Sequence, residues 1–215
     1  MSVHRNKIST SEDIELETEI VLPEADTNRV VVLCHPHPLY GGNMDNYVIG
    51  LSANKLNGSG IATVKFNFRG VGGSSGTFSH GDGELLDTLG IIEHVQSSSI
   101  FSGRNIAVGL LGYSFGARVA LFAANKYKGS ASLALISPPT IEEGFAFPNL
   151  DIPKLLVAGE QDQFDAAKSV QSLDMVLPKP TEVKVYSDDH FWGIEIDKMT
   201  TDVTKFFVDS FLKKS

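Results

Sequence analysis

The sequence predicts an α/β fold of one domain over residues 1–215, with a mostly parallel central sheet and helices on both of its faces. Two observations carry this. From about residue 28 to the end, apolar segments of strand length alternate with segments whose apolar residues recur at helical spacing. Several of the strand-length segments, Val30-Val31-Val32-Leu33 among them, are apolar without alternation, as strands covered on both faces must be. No repeat or low-complexity linker interrupts the pattern.

The elements follow in order. Ile14-Glu15-Leu16-Glu17-Thr18-Glu19-Ile20 alternates apolar and acidic residues, which predicts a half-exposed antiparallel edge strand. Parallel strands are predicted at Arg29–Cys34, Ile61–Phe68, Ile106–Leu111, Ala131–Ser137, Lys154–Gly159 and Glu182–Ser187. Helices are predicted between and after them, near residues 43–57, 84–98, 116–127, 165–177 and 196–213. In such a sheet the chemistry belongs to the loops leaving the carboxyl ends of the strands.

Composition bounds the function. A chain of 215 residues and 23.2 kDa is long enough for one well-filled core. A net charge of −8 and a pI near 5.2 disfavour nucleic acid and anionic membranes as partners, and the overall field would not draw in anionic substrates. The N-terminus has no apolar signal core, and no apolar run approaches the ~18–20 residues of a membrane span, so a cytoplasmic location is expected. The single cysteine, Cys34, excludes an intrachain disulfide and a multi-cysteine metal site, and is expected to be a small buried residue of its strand.

The stretch with the most chemical content is Gly112-Tyr113-Ser114-Phe115-Gly116, where the strand ending near Leu111 turns into the helix that carries Arg118 to Lys126. G-x-S-x-G is weak evidence alone, but a strand entering it and a helix leaving it make the context of a nucleophile elbow. Glycine two before and two after the serine lets strand end and helix start approach without a Cβ clash. The helix start aims backbone N–H groups at the place where an oxyanion would form. A serine nucleophile needs a base and a carboxylate to orient it, in the chain order serine, acid, histidine on this fold. His190 is the only histidine after Ser114, and it follows the last strand. The acid is expected to be Asp162, in the turn Gly159-Glu160-Gln161-Asp162. Asp165 is read as a helix-start carboxylate, and Asp188 and Asp189 as turn residues.

The loop Cys34-His35-Pro36-His37-Pro38-Leu39-Tyr40-Gly41-Gly42 invites a metal reading, but no third ligand stands near His35 and His37, so neither metal nor cofactor is expected. It is better placed to give the second oxyanion N–H beside that of Phe115. Pro36 and Pro38 have none, which leaves His37, Leu39 and Tyr40, with His37 favoured. Leu39, Tyr40, Tyr113 and Phe145 are the candidate substrate-binding residues. The glycine-rich Arg69-Gly70-Val71-Gly72-Gly73-Ser74-Ser75-Gly76 lacks the Gly-Lys-Ser/Thr ending of a phosphate loop and is read as a long turn bordering the pocket. Only Pro138 to Asp151 separates two strands where a cap would be inserted, too little for a helical lid, though Phe145 and its neighbours could line an open acyl pocket. Trp192 is read as core.

Together, H-P-H-P-L-Y-G-G-x-M-x-N, F-N-F-R-G-V-G-x-S-x-G, G-Y-S-F-G, G-E-Q-D and D-H-F-W resemble the small cap-less α/β-hydrolases, on their dienelactone-hydrolase-like and serine carboxylesterase branch, from about Arg29 to the C-terminus. The resemblance implies a Ser-His-Asp triad at Ser114, His190 and Asp162. Dienelactone hydrolases proper carry cysteine where this chain has Ser114. The function implied is cleavage of small carboxylic esters through an acyl-enzyme. The alternatives are a thioesterase or acyl-aminoacyl peptidase on the same triad, or a non-catalytic ligand-binding protein of this fold.

Overall fold

The structure, a computed structural model, describes residues 1–10, 13–101, 105–140 and 149–212. Its strands are β1 (Ser2–Ser9), β2 (Glu15–Leu22), β3 (Arg29–Cys34), β4 (Ala62–Phe66), β5 (Ala107–Tyr113), β6 (Ser130–Ile136), β7 (Lys154–Gly159) and β8 (Thr181–Tyr186). Its α-helices are α1 (Tyr47–Gly58), α2 (Asp82–Ser97), α3 (Phe115–Lys126), α4 (Ala166–Val176) and α5 (Ile196–Leu212). The strands form one sheet in the order β1-β2-β4-β3-β5-β6-β7-β8, antiparallel across β1, β2 and β4 and parallel from β4 to β8. This is the α/β-hydrolase fold, with no lid domain among the described residues.

The alternation of side chains along each strand divides the core in two. Val30, Val32 and Cys34 face α2, α3 and α4, in one cluster with Ile91, Ala120 and Val170. Val31 and Leu33 face α1 and α5, in a second cluster with Leu56, Val203 and Phe207. Burying each such aliphatic side chain stabilises the fold by about 1.5–3 kcal/mol, which is why the central strands read as unbroken apolar runs.

One expectation fails. The alternating segment is antiparallel, but it is not the edge: β2 lies between β1 and β4, and the polar Ser2-Val3-His4-Arg5-Asn6-Lys7-Ile8-Ser9 forms the edge strand. Periodicity could not find β1, because only Ile8 of it is buried. Backbone pairing with β2 and a row of charges hold it instead. Arg5 lies opposite Glu19 and Glu19 opposite Lys65, with Arg5 Nη2 at 2.8 Å and Lys65 Nζ at 2.9 Å from the Glu19 carboxylate.

Two boundaries shift for local reasons. The helix expected from residue 43 begins at Tyr47, because Asn43 Oδ1 accepts the Asp45 N–H in a turn and Asn46 Oδ1 caps the helix through Val48 N–H. The strand expected to reach Phe68 stops at Phe66, and the Phe68 N–H is taken by the imidazole of His35 at 3.1 Å.

What positions the site is the branch at β3. Its sequence successor β4 lies on one side and β5 on the other, so the loops leaving β3 and β5 diverge and open a crevice at the carboxyl edge of the sheet. None of the described helices is long and apolar enough to cross a membrane.

Two glycines with opposite surroundings test this packing. A Cβ on Gly116 would stand 2.2 Å from the backbone oxygen of Cys34, whereas one on Gly50, within α1, would meet nothing within 4 Å. Gly116→Ala should therefore cost about 3 kcal/mol or more, and Gly50→Ala should stabilise by ~0.5–1 kcal/mol through helix propensity. Urea titrations of the two variants check both signs.

Candidate active site

Ser114 stands between β5 and α3 at φ 55° and ψ −121°. A non-glycine residue at positive φ costs about 1–3 kcal/mol and persists only where its surroundings impose it. Here the Ser114 N–H donates to Ile136 O of β6 at 2.9 Å, and the turn is so tight that a Cβ on Gly112 would lie 2.2 Å from Gly116 O. Gly116 is glycine for a different reason from the expected one: its missing Cβ would meet β3, at Cys34 O and His35 O.

The structure brings Ser114, His190 and Asp162 together. His190 Nε2 lies 2.9 Å from Ser114 Oγ, and His190 Nδ1 lies 2.7 Å from Asp162 Oδ2. This fits a neutral imidazole whose Nδ1–H donates to the carboxylate and whose Nε2 accepts the serine O–H. Burial alone would raise the Asp162 pKa, but bonds from His190 and from the Phe164 N–H (2.8 Å) hold it below the usual carboxylate range. Asp165 lies apart, at the N-cap of α4 with its side chain 61% exposed and bound to Lys168 Nζ at 2.7 Å.

The loop carrying His190 is held by Asp188, expected from sequence to be an ordinary turn residue. Asp188 is buried, and its carboxylate accepts the N–H groups of Asp189, Gly193, Ile194 and Glu195 at 2.6–3.2 Å. Those bonds outweigh the burial that would otherwise raise its pKa. Tyr113, a candidate substrate residue, lines the cavity but spends its hydroxyl on His190 O at 2.7 Å, so it also positions this loop. Trp192 is core, as expected, fully buried with its Nε1–H donated to Ser137 Oγ at 3.2 Å.

After β3 the two histidines part company. His35 is fully buried, its Nδ1 2.7 Å from Pro36 O and its Nε2 accepting from Phe68 N–H, so both ring nitrogens are engaged. His37 faces the cavity, with its ring 4.8–5.0 Å from those of Tyr40, Phe78 and Phe115. Of the three amides weighed for the oxyanion, Leu39 N–H donates to His37 Nδ1 and Tyr40 N–H to His37 O. Only the His37 N–H has no acceptor among the described residues. Cys34 is buried, and burial pushes its thiol up to about 12. Among the described residues, no three His, Cys, Asp or Glu side chains are gathered as a metal site needs.

Most of the amides of the glycine-rich turn, those of Gly70, Val71, Gly73, Ser74 and Ser75, are committed within the protein. Glu17 of β2 accepts the Gly73 N–H and Asn67 Nδ2–H, both at 2.7 Å, and Arg69 pairs with the buried Asp87 at 2.8 Å. So anchored, the turn borders the cavity through Phe78 and His80. The cavity is about 960 Å³ and has Ser114 and His190 on its floor. Tyr40 lines it, Leu39 does not and is 67% exposed, and Phe145 lies outside the described residues. Phe164 and Phe191, which line the mouth and are largely exposed, were not singled out from sequence. Their places two residues after Asp162 and one after His190 were the available signal.

A serine at a strand-to-helix turn, bonded to a histidine that is bonded to an aspartate at the carboxyl edge of this sheet, defines an α/β serine hydrolase. Comparisons narrow the class. A family model described as X-Pro dipeptidyl-peptidase (S15 family) matches residues 12–144. The chain belongs to that family. An uncharacterized protein of Rickettsia prowazekii (strain Madrid E) is 29% identical over 189 residues, 83% of this chain and 78% of its own. The structure of an alpha-beta serine hydrolase homologue from Coxiella burnetii superposes with a TM-score of 0.85 at 31% identity, over 95% of this chain and 97% of its own. A Xanthomonas campestris α/β serine hydrolase without lid gives 0.81 at 27% identity, over 99% and 95%.

The engaged ring of His35 has a measurable consequence. Burial lowers its pKa from 6.5 to about 4, against the opposing bond to Pro36 O. The unfolded chain takes up this proton near 6.5 and the folded chain only near 4. Stability therefore falls as pH drops through that window, by up to ~1.4 kcal/mol per pH unit from this residue. His35→Gln should be less stable than wild type at pH 7 but lose stability less steeply between pH 6.5 and 4.5. Denaturant midpoints across that range, with equal slopes for the two proteins, would refute the assignment.

Proposed function

We propose that the chain is a carboxylesterase acting on small esters, with Ser114 as nucleophile, His190 as general base and Asp162 as the residue that orients it. The observation that carries this is the continuous hydrogen-bonded path from Asp162 through His190 to Ser114, opening onto the cavity. His190 Nε2 takes the Ser114 proton as the oxygen attacks the ester carbonyl. The Phe115 N–H at the start of α3 and the N–H of His37 hold the oxyanion. His190 then protonates the departing alcohol, and later activates the water that releases the acid.

The family assignment favours a second reading, peptide cleavage by the same three residues. A dipeptidyl-peptidase must hold a free N-terminal ammonium, and a buried or half-buried ammonium needs a carboxylate partner. No Asp or Glu stands among the described residues lining the cavity, which supports the ester reading. A panel of short-chain 4-nitrophenyl esters, acyl-CoA thioesters and Xaa-Pro anilides separates these readings; turnover of the anilides alone would overturn the esterase assignment.

Within that panel, Ser114→Ala should remove activity, since loss of such a nucleophile lowers kcat by about 10⁶. Asp162→Asn presents an amide that favours the wrong imidazole tautomer, and the comparable change in a serine protease costs about 10⁴ in kcat. Asp165→Asn removes only an exposed ion pair with Lys168, and should change stability by ~1 kcal/mol or less and kcat little. A severe loss at Asp165 with a mild one at Asp162 would reverse the roles.

A further inference from the structure

We propose that the substrates of this site carry a compact anion, a carboxylate in the first instance, several bonds from the scissile carbonyl, and that Arg118 receives it. The proposal rests on the reading of Ser114 as the nucleophile and names the substrate class for it.

The one permanently charged side chain lining the cavity among the described residues is a cation, although the chain is acidic. The protein carries −8 overall, yet besides Tyr40, Tyr113 and His190 the ionisable side chains lining the cavity are three bases from three different segments: His37 after β3, His80 after the glycine-rich turn and Arg118 on α3. No Asp or Glu of the described residues lines it. Asp162 lies behind His190, and Glu84, whose charge reaches His37, is engaged by the N–H groups of Ser79 and Gly81.

Arg118 is the permanent cation among them, and it is uncommitted. Arg5 and Arg69 each hold a carboxylate at 2.8 Å, whereas the guanidinium of Arg118 rests 5.6 Å from the ring centroid of Phe122 and has no carboxylate partner among the described residues. A planar guanidinium stacked on an aromatic ring keeps its N–H fork free to bind a carboxylate through two parallel bonds. Four residues beyond Ser114, it stands about 6 Å further along the axis of α3, and its own side chain adds to that reach. An anion bound there is separated from the reacting carbonyl by a chain of several atoms. An α-carboxylate next to that carbonyl is too close.

The test compares charged and neutral partners of the same length. One arm puts the anion on the acyl side, 4-nitrophenyl adipate monoester against 4-nitrophenyl hexanoate. The other puts it on the alcohol side, 4-carboxyphenyl hexanoate against phenyl hexanoate. In at least one arm the charged-to-neutral ratio of kcat/KM should fall about tenfold in Arg118→Gln, mostly through KM, recover in part in Arg118→Lys, and shrink in the wild type as salt is raised. Ratios unchanged by the substitution in both arms overturn the proposal.

Labelling of Ser114 by alkyl fluorophosphonates ending in a carboxylate or a methyl group reads the same subsite without any turnover. Should the chain hydrolyse no ester at all, the esterase reading fails, and a labelling ratio that still drops in Arg118→Gln sustains the anion subsite. A labelling ratio indifferent to Arg118 removes it, and absence of labelling overturns both.

Discussion

The site depends on how closely α3 lies against the ends of β5 and β3. Two missing side chains allow that approach. A Cβ on Gly112 would sit 2.2 Å from Gly116 O, and one on Gly116 would sit 2.2 Å from Cys34 O, far inside any van der Waals separation. Because the helix start is pressed onto both strand ends, Ser114 is forced to positive φ, with its hydroxyl clear of the sheet. The strain at Ser114 is therefore sustained by packing that involves most of the parallel sheet.

Around that point the protein uses buried carboxylates for two different tasks. Asp188 and Asp162 lie in adjacent loops at the same edge of the sheet, and both are held below the usual carboxylate range against the effect of burial. Asp188 spends its lone pairs on four backbone N–H groups, which sets the path of the chain through His190. Asp162 gives one oxygen to the Phe164 N–H and keeps the other for the imidazole. The first fixes a loop and the second fixes a ring. Together with the Tyr113 hydroxyl on His190 O, they leave the imidazole little freedom, and such preorganisation is what general-base catalysis requires.

Above the floor, the rim is aromatic and the lining carries His37, His80 and Arg118. Phe164 and Phe191 stand largely exposed at the mouth, where no lid covers them among the described residues. The buried ion pair of Arg69 with Asp87 and the hold of Glu17 on Gly73 anchor the glycine-rich turn that leads to Phe78 and His80 of the cavity lining. Structural charges are paired in this way around the cavity, and Arg118 inside it is not.

Much of this was legible in the sequence. The parallel strands and the five helices follow from apolar runs and spacing, because a strand covered on both faces must be apolar at every position and a helix on one face must repeat near 3.6 residues. Ser114 and His190 could be named because the elbow pattern is local and only one histidine follows it. The strand β1 could not, since it is held by backbone pairing and cross-strand charges, and leaves no periodicity. Sequence position favoured Asp162 over Asp165 as the acid, but it could not show what either carboxylate, or either of His35 and His37, would bind. Those choices depend on where a side chain points, and it was the tertiary packing that turned Asp162 onto His190 and left Asp165 to Lys168. The same packing closed His35 between Pro36 O and Phe68 N–H, and set the ring of His37 against Tyr40, Phe78 and Phe115. Local pattern determines which elements form, whereas the meeting of loops 28 and 76 residues apart in the chain is decided only when the sheet brings their strand ends to one edge.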